Sequence, residues 1–183
     1  MSSHTQREKI KRISIFETAI FAMLAALMFA SKQLMEVLPN IHLIGMFTAT
    51  FTVVYRWKAL IPIYIFVVLE GLISGFSLWW IPYLYIWTVL WAVFMVLPKN
   101  MKKGAKAVVY PILCGLHGFL YGTLYAPAQA LMFGLNFEGM LAWIVAGLPF
   151  DAIHGVSNLV CGLFILPLSR LMTKLDRKYS GTH

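Results

Sequence analysis

Asp151, His154 and Asn158 are spaced three and then four residues apart, so a helix through them carries a carboxylate, an imidazole and an amide on one face. His117, Tyr121 and Tyr125 follow at intervals of four, as do Tyr83 and Trp87, and Gln129 lies just past the helix that carries the first series. Glu70 is isolated in an apolar run. These residue types fit recognition of a flat polar ring: aromatic faces stack on it, while Asp, His, Asn and Gln fix its orientation. Nucleophilic catalysis would need Ser or Cys beside a base. Ser157 neighbours Asn158, but its helical angle differs from that of His154, so a hydrolase is unsupported and no catalytic residue is expected. A metal on Asp151, His154 and Glu70 is conceivable, with only His42 or His117 to add a nitrogen, and the aromatic surroundings argue against it. No metal and no cofactor are expected. Each group also has a plain structural reading: His117 as an interhelical hydrogen-bond donor, Glu70 paired with His154, Asp151 as a helix cap.

The segments that must position these groups are long and apolar. Of 183 residues, 60% are hydrophobic and 12% charged, against about 25% charged in soluble domains. The fold class is all-α and integral to a membrane. One domain over 1–183 holds six transmembrane helices, predicted at about 13–35, 43–55, 59–76, 82–97, 107–126 and 149–171. All but one of the 15 Lys and Arg fall in four places. These are Arg7 to Arg12, Arg56 and Lys58, Lys99 to Lys106, and Arg170 to Lys178. The positive-inside rule then puts both termini and both basic loops in the cytoplasm. Lys32 falls on the other side and, like Glu17, reads as snorkelling to a bilayer face. The net charge of +8 does not indicate nucleic acid, because the basic residues are dispersed over interfacial segments. They read as topology signals and contacts to anionic lipid. Trp79 and Trp80 read as interfacial anchors. Cys114 and Cys161 lie in apolar stretches without metal-ligand spacing and read as buried. Residues 127–148 are too apolar for a solvated loop and read as a hairpin or short helix on the outer face.

In this topology the candidate groups gather in the outer half of the bundle. The expectation is a cavity open to the outside above a dry floor, since a channel would need polar lining throughout. An autonomous small-molecule transporter remains an alternative, although no inverted repeat is visible; an intramembrane hydrolase is the more remote one. No nucleotide-binding motif is present, so any use of ATP must come from partners. Helix 1 carries Ala22, Ala26 and Ala30 at strict intervals of four, spacing that lets another helix approach closely. Gly71/Gly75 and Gly118/Gly122 share that spacing and are assigned to internal packing.

With its alanine-rich first helix, IFETAIFAMLAALMFA, and the stretch LPFDAIHGVSN in its last, the chain resembles the substrate-binding (S) component of an energy-coupling factor, or ECF, transporter. The resemblance covers nearly the whole chain. It implies docking of Ala22, Ala26 and Ala30 on a transmembrane coupling subunit, and a D-x-x-H-x-x-x-N segment placing Asp151, His154 and Asn158 at the ligand. It implies a complex with two ATPase subunits in a bacterial plasma membrane, a subunit that topples to carry its ligand inward, and no enzyme activity in this chain. No outer cluster of Arg or Lys awaits a phosphate or polycarboxylate. A small aromatic vitamin or precursor is therefore favoured, hydroxymethylpyrimidine or pyridoxine first, with pantothenate, queuosine precursors and cobalamin open.

Overall fold

A chain this apolar closes its backbone hydrogen bonds within each segment, and helices do so completely. The structure, a computed structural model, describes residues 13–179; Arg7, Lys9, Lys11 and Arg12 lie outside them. The described residues form α1 (Ile15–Leu34), α2 (Ile44–Tyr55), α3 (Leu60–Ser74), α4 (Tyr83–Val96), α5 (Lys103–Phe119), α6 (Tyr121–Phe133), α7 (Phe137–Gly162) and α8 (Ile165–Tyr179). Five helical stretches are long and apolar enough to cross a membrane: Ile15–Leu34, Ile44–Ser74, Leu78–Val96, Lys103–Phe133 and Phe137–Gly162. This is a bundle compatible with a multi-pass membrane protein.

The stretch Ile44–Ser74 reverses at Arg56, whose φ of 56° and ψ of −125° are unfavourable for a residue with a Cβ. Its side chain holds the turn by donating to the carbonyls of Phe94 (3.4 Å) and Met95 (2.6 Å). Its own carbonyl accepts from Trp91 Nε1 at 3.1 Å. Contacts at both ends then fix direction. Lys58 meets Glu17 and Glu70 meets Lys32, so α1 and α3 run parallel. His42 meets Trp87 and Arg56 meets Met95, so α2 and α4 run parallel to each other the opposite way. α2 is the central post, buried from Ile44 to Thr52. α5 and α7 make the tightest pair. A Cβ added at Gly118 would lie 2.8 Å from Gly155 Cα, and one at Gly162 would lie 2.7 Å from Pro111 Cα.

The first four helices lie within about two residues of their predicted bounds. The last two do not. The helix expected at 107–126 starts at Lys103 and, after a break at Leu120, continues to Phe133. The helix expected at 149–171 starts at Phe137, passes through Pro149, and ends at Gly162, where α8 begins a new direction. Residues 127–148 are therefore a hairpin, as read, but one built by extending two long helices. Asn136 caps its second arm by accepting from Gly139 N (2.8 Å), and Gly134 closes the first at φ 64°. Lys103–Phe133 has 31 residues, roughly 46 Å of helix against about 30 Å of hydrocarbon. Pro149 is tolerated inside α7 because neighbouring helices and local adjustment compensate the missing bond.

Two small-residue readings separate here. Gly71 packs internally, since a Cβ would sit 2.1 Å from the Phe76 ring, and Gly118 and Gly122 do likewise. Gly75 instead ends α3 at φ 88° with open space around it, so it is a turn residue. Ala22, Ala26 and Ala30 are exposed, because α1 buries the opposite set, Phe21, Ala25 and Met28.

Candidate functional site

Trp87 of α4 is the hub of a ring cluster at the end of the bundle away from the basic loops. Its ring centroid lies 5.7 Å from Tyr83, 5.8 Å from His42, 5.9 Å from His117 and 6.0 Å from Tyr121. His154 of α7 closes the circle, 4.5 Å from His42 and 4.6 Å from Tyr121. Tyr125 extends it to Trp143, stacked at 5.7 Å. Beside the rings, Lys32 of α1 pairs with the fully buried Glu70 of α3, and its Nζ lies 6.0 Å from the Tyr83 ring centroid. Rings and charges from α1, α3, α4, α5, α6 and α7 thus form one contiguous group.

The hydrogen bonds divide structural from unpartnered atoms. His117 Nε2 meets the Ile86 carbonyl at 3.1 Å, the interhelical contact foreseen for it, while its Nδ1 has no partner among the described residues. Also without one are Trp87 Nε1, Glu70 Oε1, His154 Nε2, Asp151 Oδ2 and both amide atoms of Asn158. Each such atom, held away from water, costs on the order of 1–3 kcal/mol. The Thr48, Thr50 and Ser157 hydroxyls are likewise unpartnered away from the rings.

Asp151 and Asn158 lie in helix seams beside the rings. Asp151 Oδ1 accepts from Gly122 N at 2.9 Å, so the carboxylate caps the first turn of α6 across the break at Leu120. The cap foreseen at the start of its own helix is excluded, since Asp151 sits midway along α7. Asn158 is wedged between α2 and α5, its amide 3.1 Å from a Cβ added at Gly45 and 2.9 Å from one added at Gly118. Gln129 stands at the periphery, one turn beyond Tyr125 and half-buried.

Two partners escaped the sequence reading. Glu70 pairs with Lys32 rather than His154, and Lys32 turns inward rather than snorkelling. His42 enters from the loop between α1 and α2. Its Nδ1 accepts from Ile44 N (3.4 Å), which suits a neutral ring. Burial, then the nearby Lys32 charge, pushes its pKa down to about 4. The signal for Lys32 was present: one amine outside the basic clusters, and one carboxylate isolated in an apolar run.

Tyr125 donates to the Trp79 carbonyl (3.1 Å) and Trp80 Nε1 donates to the Val67 carbonyl (2.7 Å), tying the Leu78–Trp80 turn to α6 and α3. Trp80 thus packs its ring inward through that bond, and Trp79 joins through its backbone carbonyl. No group of three or more His, Cys, Asp or Glu among the described residues is placed to hold a metal ion. Comparison with known proteins finds no matching family model, no matching curated protein and no matching solved structure.

Proposed function

We propose that this protein is the substrate-binding component of an ECF-type importer, a multi-pass subunit with six crossings and cytoplasmic termini in a bacterial plasma membrane. It captures a small aromatic vitamin or precursor from outside. A transmembrane coupling subunit and two ATPase subunits supply the energy. The observation that carries this reading is the Trp87-centred ring cluster edged by unpartnered buried polar atoms. A planar heterocycle with amino or hydroxyl substituents matches it. Trp87 Nε1 offers a donor, Glu70 Oε1 an acceptor, and His117 and His154 each a free ring nitrogen.

Lys32 is compensated by Glu70, so no free cation remains in the cluster for a phosphate among the described residues. That favours hydroxymethylpyrimidine or pyridoxine over their phosphorylated forms. The exposed alanine face of α1 supplies the second element, a smooth surface for a coupling helix. Ala26→Trp tests the division of labour. Uptake by cells co-expressing the coupling and ATPase subunits is expected to fall to background, with ligand binding by the purified variant unchanged. Normal uptake by the variant, or accumulation by the lone protein in vesicles, would refute it.

A further inference from the structure

The opposite end of the bundle holds a second site. Lys103 and Lys106 of α5 and Arg170, Lys174 and Arg177 of α8 converge on one cavity of about 520 Å3, floored in part by Tyr110. These two groups are far apart in sequence, and α8 brings them together by crossing α2 and α5. No Asp or Glu among the described residues lines the cavity. Asp176, on the same helix, faces away toward Ser14, Glu17 and Tyr55. Two of the hydroxyls there are already used: Ser169 donates to the Leu166 carbonyl and Thr173 to the Ser169 carbonyl. The first turn of α5 opens nearby with no side-chain cap, adding free backbone N–H groups to the positive field. A topology signal needs cations near a helix end. It does not need them gathered around one concavity, where like charges repel unless an anion sits between them.

We propose that this cavity holds the phosphate of an anionic phospholipid headgroup. The location selects lipid over a soluble anion. The cavity lies where spanning helices end, at headgroup depth, and α8 has the form of an interfacial helix. Its Leu171 and Leu175 are exposed one residue on from Arg170 and Lys174, which is about 100° round the helix. A bound headgroup would tie α8 to α5, and nothing in this depends on the ligand at the other end.

The test is native mass spectrometry of the full-length protein incubated with phosphatidylglycerol, phosphatidylcholine or inorganic phosphate. Wild-type protein is expected to retain phosphatidylglycerol alone, and less of it as salt rises. The triple variant Lys106→Gln/Arg170→Gln/Lys174→Gln should retain it roughly a hundredfold less. Lys178→Gln, outside the cavity, should match wild type. Equal retention of phosphatidylcholine, or salt-independent retention by wild type, would overturn the proposal without any variant. So would an equal loss in Lys178→Gln, which would indicate a diffuse surface effect. Retention of inorganic phosphate without lipid would reassign the site to a soluble anion.

Discussion

Lys32 and Glu70 are unequal partners, and the inequality makes a prediction. The Glu70 side chain is fully buried, whereas that of Lys32 is 25% exposed and has a flexible stem that reaches the surface. Lys32→Met strands a buried carboxylate that already has one unpartnered oxygen, and should cost about 3 kcal/mol. Glu70→Gln leaves an amine free to turn outward and should cost clearly less, read as thermal unfolding in detergent. An equal loss would mean that the pair does not organise the site. His42 gives a pH dependence. Its pKa falls from 6.5 to about 4 on folding, so between those values the unfolded chain binds the extra proton. Stability should therefore decline as pH falls from 6.5 toward 4, more steeply in wild type than in His42→Gln. Parallel curves for the two proteins would contradict the placement of His42. The sets His117/Tyr121 and Tyr83/Trp87 were legible in the sequence because helical spacing alone puts them on one face. His42 was not, because its partners lie on other helices and only packing brings them near, whereas the Lys32–Glu70 pairing was signalled by two lone opposite charges that helical spacing does not connect.

Helix direction and bounds were legible where polar breaks interrupt apolar runs, as at Arg56, whereas the basic break after Leu97 placed the start of α5 four residues late. They were not legible across residues 127–148, where α7 runs through Gly139 and Gly147 and past Pro149 and only Gly134 ends a helix. Tertiary pairing of α5–α6 with α7 overrides those local breakers. The same pairing predicts a sharp steric response. At Gly118, a methyl group would press on Gly155 Cα and the His154 carbonyl, both backbone and both 2.8 Å away. Gly118→Ala should push α5 from α7 and cost about 1–3 kcal/mol of stability. It should weaken ligand binding too, because His117 and His154 flank that contact. Full stability in Gly118→Ala would show that the two helices are not in register as described.

At the scale of the whole molecule, the two ends of the bundle are chemically opposite. One collects aromatic rings, unpartnered nitrogens and a compensated ion pair, and the other collects uncompensated cations. This polarity suits a subunit that binds its ligand at one face and relies on partners for energy. Composition and charge placement indicated a membrane bundle, while the gathering of rings from several helices around Trp87 depended on packing. The most direct measurement is native mass spectrometry of the protein purified from a source able to supply the ligand, compared with Trp87→Phe. The account predicts a bound small heteroaromatic compound on wild type. Its occupancy should fall about tenfold in Trp87→Phe, as expected when a ring nitrogen donor is lost and the aromatic face kept. Equal occupancy in the two proteins, or a ligand with no aromatic ring, would contradict the account.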